Sequence, residues 1–269
     1  MKGITLSLSD PAGETMLPLF IEKGFKETTT PNIYQRNDTI LIVAEPLIVP
    51  EERFKMPEEP RPYPLDYNTL AEKYELEYIA VASRHWAKSG KPSLTAHPTG
   101  NFGKAMYGGR HRELQYTAPN PMRNIYKHFY DDPPEGFQIS LEATHHSPTE
   151  FNVPMFFVEV GSREQQWRDT EVCEYLVNCI LTGMDETESK PKAIGFGGGH
   201  YCPKFSVKMN EYAMGHMAAR YAIDLLTDDL VSQMIEKSKG PEIAFIDGLK
   251  SRQKRKVESL LENSGLEIG

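Results

Sequence analysis

VPMFFVEVGSREQQW, residues 153–167, is the stretch on which the fold turns. Its first eight residues form a nearly unbroken apolar run, the pattern of a strand covered on both faces. Ser162-Arg-Glu-Gln165 then has the spacing of a capping box, in which two side chains satisfy the free N–H groups of a helix start. Helical periodicity runs on through Trp167, Val172, Leu176 and Ile180 to Gly183, a good stop. KAIGFG (192–197) reads as the next strand. Strand, helix, strand is the unit of a parallel sheet with helices on its faces.

The pattern repeats outward from there. ITLSLS (4–9) is a strand, and Asp10-Pro11 after it is a helix-start signal. TILIVAE (39–45) is a second strand. The proline-thick EPLIVPEERFKMPEEPRPYP can neither continue a helix nor donate to a ladder, so it predicts a long insertion near 46–64. YNTLAEKYE (67–75) predicts a short helix, LEYIAVAS (76–83) a buried strand and FQISLEA (137–143) another strand. MNEYAMGHMAARYAIDLL (209–226) reads as a strong helix, EIAFID (242–247) as the last strand and LKSRQKRKVESLLEN (249–263) as the last helix. The expectation is one α/β domain over residues 1–269, built on a mixed, largely parallel sheet flanked by helices. No internal repeat is visible.

The 269 residues suffice for a sizeable core, and no stretch approaches the roughly 18 apolar residues of a membrane span. MKGITLSLSDPAGET has no charged start or long apolar run of a signal peptide. Cys173, Cys179 and Cys202 cannot all pair within one chain, so a reducing cytoplasm is expected. Cys173 and Cys179 fall in a helical pattern and read as small core hydrophobes.

The net charge of −8 is unevenly spread. Between Arg84 and His128 stand Arg84, Lys88, Lys91, Lys104, Arg110, Arg112, Arg123 and Lys127 against Glu113 alone, a balance of +7 that leaves −15 elsewhere. Trp86, Phe102, Tyr107, Tyr116 and Tyr126 are interleaved. This basic loop region, near 84–128, suits a polyanion. A solvated loop is the competing reading at even weight. A second basic run, SRQKRK (251–256), reads as a solvated helix face.

Ligands of open α/β sheets bind beyond the C-terminal ends of strands. Five of the eight histidines fall at such places: His85, His97, His145, His146 and His200. Asp10, Thr144 and Glu159 lie there too. If LEATHH stays extended, Glu142, Thr144 and His146 share one face and His145 takes the other. Glu142 and Glu159 sit in apolar runs, where a carboxylate needs a partner or a metal; an arginine bridge is the blander possibility for each. His111 and His128 read as polyanion-facing or solvated, and His216 as a core residue. IGFGGGHYCP (194–203) is neither a dinucleotide fingerprint nor a P-loop. Its glycines offer N–H groups for close approach to an oxyanion, with His200 as the reactive or ligating member. Without a nucleophile elbow, activated water is the expected nucleophile. Zinc is possible from the ligand types, though HExxH and CxxC spacings are missing.

The blocks SRHWAKSGKPSLTAHPTGNFG (83–103), LEATHHSPTEF (141–151), VEVGSREQQW (158–167) and IGFGGGHYCPKF (194–205) resemble those of the archaeal and plant D-aminoacyl-tRNA deacylases. The likeness runs over essentially the whole chain. It implies hydrolysis of the ester between a D-amino acid, D-tyrosine included, and the 3′ end of tRNA, which frees mischarged tRNA. It also implies zinc, and an α/β fold similar to peptidyl-tRNA hydrolases and nucleoside-phosphorylase-like proteins. By matched position it puts His85, His97, Thr144, His145, His146, Glu159 and His200 in the site. The mechanism expected is a histidine or buried Glu, with or without zinc, activating water, with N–H groups near Gly198 and Gly199 holding the oxyanion. His85, His146 and His200 are the candidate zinc ligands. The eight cations from Arg84 to Lys127 are the expected seat of the tRNA acceptor end. The enzyme is expected to be cytoplasmic and monomeric, away from membranes. Two other readings stand beside it: a metal-dependent amidohydrolase or peptidase on small acyl substrates, and a tRNA-binding module without chemistry.

Overall fold

The computed structural model describes residues 1–44, 47 and 65–269. Apart from Leu47, the expected insertion near 46–64 lies outside them.

In chain order the elements are β1 (Lys2–Leu6), α1 (Pro11–Glu22), β2 (Lys26–Glu27), β3 (Ile33–Arg36), β4 (Thr39–Val43), α2 (Tyr67–Tyr74), β5 (Tyr78–Trp86), β6 (Ser93–His97), α3 (Pro119–Lys127) and β7 (Gln138–Leu141). There follow β8 (Met155–Ser162), α4 (Glu164–Trp167), α5 (Thr170–Asp185), β9 (Lys192–Gly197), α6 (Pro203–Lys208), β10 (Ala213–Ala218), α7 (Asp228–Lys237), β11 (Ile243–Asp247), α8 (Ser251–Leu261) and β12 (Glu267–Ile268). The strands form two sheets. The larger has the order β2-β3-β4-β1-β5-β8-β6-β7, the smaller β10-β9-β11-β12.

The four central strands β4, β1, β5 and β8 run parallel, as their apolar runs require. Every residue of β8 is buried. β6 runs antiparallel to β8, so the C-terminal end of β6 lies near the middle of β8. The smaller sheet is parallel throughout. One apolar cluster joins the sheets: Ile4 and Phe156 from the larger, Met217 and Phe245 from the smaller, Met122 of α3 and Leu176 of α5 between. α7 and α8 cover the far face of the smaller sheet through Leu230 and Val257, against Ile194 and Phe196.

Four expectations need correction. Residues 209–226 are not a helix: Ala213–Ala218 is strand β10, buried at all six positions against β9. Its apolar spacing fits either period, and burial on both faces decides. The capping box is one residue late, with Arg163 at the N-cap and Gln166 answering it. The helix it starts is two helices, α4 and α5, and Asp169 caps the second with bonds from Glu171 and Val172 N–H. The basic region near 84–128 is not one loop, since it holds the end of β5, all of β6 and α3. SLTAH is too polar to read as a strand alone, but its ladder to β8 makes it one.

Candidate active site

Glu159 sits in the middle of β8, and its neighbours are set by register. Ser83 on β5 and Thr95 on β6 both stand opposite it. Ser83 Oγ donates to Glu159 Oε1 at 2.9 Å and Thr95 Oγ1 to Oε2 at 3.4 Å. Side chains two residues along a strand share a face. His85 and His97 therefore join Ser83 and Thr95 on the face of Glu159, with Nδ1 of His85 at 3.4 Å and Nε2 of His97 at 3.6 Å from Oε2. Gly161 on β8 makes room: a Cβ there would lie 2.8 Å from the His85 ring.

The second half comes from residues 141–146, which bridge the sheets. Ala143 N–H donates to His200 O, Thr144 N–H to Met217 O, and Cys202 N–H to Leu141 O. This seats Glu142 against the first group. Its carboxylate lies 3.0 Å from His85 Nδ1, 2.9 Å from His200 Nε2 and 3.5 Å from His145 Nε2. None of these is well directed, so both Glu142 oxygens and His97 Nε2 are buried without a hydrogen-bond partner. The His97 ring lies 4.3 Å from that of His145 and 4.9 Å from that of His146.

The expected alternation along LEATHH fails at one point. His146 adopts a left-handed φ of 44°, which turns its ring to the same cluster as His145. Thr144 points away, bonding His216 Nδ1 at 3.1 Å and accepting from Met217 N–H at 3.0 Å.

A carbonyl can only accept, so the ring tautomers follow. His97, His145 and His146 each hold a proton on Nδ1, donated to Pro98 O, Ala143 O and Ser147 O. When neutral, all three present Nε2 as a lone pair. This is how histidines are oriented around a metal ion. Among the described residues, three groups of ligand atoms lie close enough to share an ion: His97, His145 and His146; Glu142, His145 and His200; His85, Glu142 and Glu159. The expected trio of His85, His146 and His200 is divided among the three.

Burial, the largest single influence, would lower the His85 and His97 pKa, but the Glu159 and Glu142 carboxylates together outweigh it and raise them. Burial pushes His145 far down, and the neighbouring His97, His146 and His200 add to it. Burial, with His97 next, brings His146 to about 4. Burial would raise both carboxylates; His85 and His97 hold Glu159 down instead, and His200 and His85 do so for Glu142. The site thus favours charge on the two carboxylates and on His85 and His97, and disfavours it on His145 and His146.

His85, His145, His146, Glu159 and His200 stand in the wall of a cleft of about 1160 Å³ at the C-terminal ends of β1 and β5, with Glu142 and His97 buried behind them. Leu47, Tyr67, Val81 and Phe157 give it apolar wall, and Arg84, Trp86, Lys104 and Tyr107 also line it. Arg84 also packs its guanidinium 5.2 Å from the Trp167 ring.

Other expected residues have structural roles or lie outside the cleft. Asp10 is the N-cap of α1, accepting from Ala12 and Arg84 N–H. Gly198 spends its N–H on Asp247 O, which removes it as an oxyanion donor. Gly199 lines a separate depression. Of the eight cations, Lys88, Lys91, Arg110 and Arg112 are exposed outside the cleft lining. Arg123 is buried, bonding Met209 O and Glu188, and Lys127 pairs with Glu186 and Glu188. Both are structural, since a helix packed between the sheets consumes them. His128 bonds Asp131 and Glu186, and His111 accepts from Ala105 N–H. Tyr201 was not singled out by sequence, yet its hydroxyl lies 2.8 Å from His85 Nε2. Ser83 and Thr95 were missed as well; only cross-strand register connects them to Glu159.

Histidines and carboxylates gathered in a partly apolar cleft at the strand ends of an α/β fold define a hydrolase-type site, one suited to activating water. The family model for D-aminoacyl-tRNA deacylase matches residues 72–269, and the chain belongs to that family. A D-aminoacyl-tRNA deacylase of Pyrococcus horikoshii is 33% identical over 282 residues, covering 100% of this chain and 99% of that protein. One of Cenarchaeum symbiosum is 37% identical over 202 residues, covering 73% of this chain and 78% of that one. One of Methanocorpusculum labreanum is 41% identical over 197 residues, and there the chain spans only 44% of the relative's length. A crystal structure of a conserved protein of unknown function shares the fold, with a TM-score of 0.85 and 28% identity over 100% of this chain and 94% of that one.

Proposed function

We infer that this chain hydrolyses the ester joining a D-amino acid to the 3′ end of tRNA, releasing the free amino acid and the tRNA. The observation that carries the reading is the His200–Glu142 pair within the histidine cluster of the cleft. With Nε2 2.9 Å from Glu142, His200 turns Nδ1 the other way as an acceptor; the pair is not aligned as a hydrogen bond in the free protein and would tighten with substrate in place. His200 takes the proton of the attacking water. The hydroxyl of Tyr201, held at His85 Nε2, is the donor for the developing oxyanion and replaces the glycine N–H groups in that role. The proton on His200 then passes to the leaving ribose oxygen.

The family resemblance also points to zinc. The residues fit it: His97, His145 and His146 bring ring nitrogens close enough to share an ion, each free to offer Nε2 when neutral, beside carboxylate oxygens without well-directed partners. Bound there, zinc supplies Lewis acidity and lowers the pKa of a coordinated water. The three cysteines are free and buried, which supports a reducing, cytoplasmic setting. Among the described residues no helix is long and apolar enough to cross a membrane. We take the monomer as the working state.

The test is tyrosine release from D-Tyr-tRNA and L-Tyr-tRNA, side by side, with and without a chelator. Release from the D-ester alone is expected. His200→Ala should lower kcat about 10²–10⁴-fold, the usual worth of a general base. Full activity in that variant excludes His200 as the base.

A further inference from the structure

The loop carrying His200 has a second face. Gly198 and Gly199 line a depression of about 440 Å³, separate from the catalytic cleft. Arg220 and Tyr221, just after β10, form one wall, and Lys250 and Arg252, at the head of α8, form another. The backbone of Arg220 is clamped on both sides: its N–H donates to Gly198 O at 3.2 Å, and its carbonyl accepts from Gln253 Nε2 at 3.2 Å. The residue is thus fixed while its side chain is exposed.

The charge of this depression is positive in an acidic protein. Among the described residues, Asp224 is the one carboxylate in its lining, and it lies 3.4 Å from Arg252, leaving Arg220 and Lys250 in excess. Asp247 under the loop pairs with Lys204 at 2.6 Å. Arg252 is 84% exposed and Tyr221 64% exposed, so cations and an aromatic face are presented together. The floor has no Cβ at Gly198 or Gly199, and one added at Gly199 would meet nothing nearer than 3.5 Å. An open glycine floor ringed by arginine and lysine is a site for a phosphate group.

Its place ties it to the cleft. Tyr221 lines both cavities. Gly199 faces the depression and His200, the next residue, faces Glu142, so the two sites lie about one Cα step of 3.8 Å apart along the chain. We propose that this depression seats the RNA phosphodiester backbone next to the esterified ribose. Arg220, Lys250 and Arg252 hold phosphates and Tyr221 offers a stacking face to a base. SRQKRK, which reads in sequence as a solvated face, then begins a recognition surface. The assignment rests on the deacylase reading for the identity of the RNA, but the surface can be tested without turnover.

The experiment combines Arg220→Glu, Lys250→Glu and Arg252→Glu in the full chain. Lys26→Glu, on the exposed edge strand β2, is the control reversal. Binding of uncharged tRNA is measured against salt. Hydrolysis is measured on D-Tyr-tRNA and on adenosine carrying D-tyrosine on its 3′ hydroxyl. In the triple variant the slope of log K against log[salt] should fall by roughly 2–3, about one per cation. The ratio of kcat/KM on tRNA to that on the adenosine ester should fall at least about tenfold, and Lys26→Glu should change neither. An unchanged salt slope overturns the proposal. So does an equal loss on both substrates, which would mark the three residues as supports of the loop. A wild-type chain that binds tRNA through these residues but cleaves neither ester overturns the deacylase reading and leaves the surface standing.

Discussion

Thr144 gives its hydroxyl proton to His216 Nδ1 and receives the N–H of Met217, while His216 Nε2–H donates to Gln115 O. A second proton on His216 has nowhere to go. Burial with no facing carboxylate brings its pKa down to about 3. The unfolded chain takes that proton near pH 6.5, so it binds more protons between the two values. Stability is therefore lost as pH falls from about 6.5 toward 3, by about 1.4 kcal/mol per pH unit for this one group. Urea titrations of wild type and His216→Gln at pH 7 and pH 5 should show a smaller acid loss in the variant. Equal losses would mean that His216 is charged in the fold. Glu159 behaves oppositely. Its pKa is held below the ordinary carboxylate range, so its contribution is present above about pH 4.3 and disappears as pH falls through the folded value. Glu159→Gln keeps the shape and the Ser83 and Thr95 contacts but removes one of the two carboxylates facing His85 and the one that contacts His97. At neutral pH it should cost on the order of 3 kcal/mol and depress the His85 and His97 pKa, readable by NMR titration.

The glycine loop shows what an element asks of its residues. Gly197 ends β9 at a φ of 114°, and a Cβ there would meet Asp247 O at 1.9 Å. Gly197→Ala should therefore push β9 off β11, displace His200 and cost about 2 kcal/mol or more. Gly199→Ala meets nothing within 3.5 Å and should leave the melting temperature nearly unchanged. The reverse order of damage would relocate the strain. The sequence exposed the glycine run but could not rank its members, because φ and the approach of β11 are tertiary facts. The same limit explains β10 and α3. AMGHMA fits a helix by spacing and becomes a strand only because β9 and the core cover both faces. Arg123 looked like a phosphate ligand among other cations, yet it bonds Met209 O between two packed layers. Arg123→Ala should cost about 2 kcal/mol in stability for the unpaired groups it leaves, with no change in the salt slope of tRNA binding. A lowered slope would return Arg123 to the RNA surface. What was legible is the strand-end rule: five histidines placed at or after strand ends converge, although His97 arrives on β6, which runs antiparallel to β8.

At the scale of the molecule, two sheets meet at the 141–146 crossing, and the charge of the site is balanced there. Glu142 and Glu159 both face His85, and neither carboxylate touches lysine or arginine in the ion pairs of the described residues. Without a metal, the two carboxylates favour protons on His85 and His97 as the compensating charge, and both pKa values rise despite burial. A divalent cation bound to this cluster would supply the same two charges. The protons on His85 and His97 and the cation therefore compete. Zinc loading is expected to release protons, up to about two per ion near neutral pH and fewer as pH rises past the histidine values. Calorimetry in buffers of different ionisation enthalpy measures that number directly. The same titration should raise the melting temperature, since an ion at 100-fold excess over its dissociation constant adds about 2.7 kcal/mol. In Glu159→Gln the proton release should shrink, because His85 and His97 then hold their protons less tightly. Stabilisation by zinc without proton release would place the ion on His145 and His146 away from the carboxylates, and no stabilisation at all would leave the cluster to proton chemistry alone.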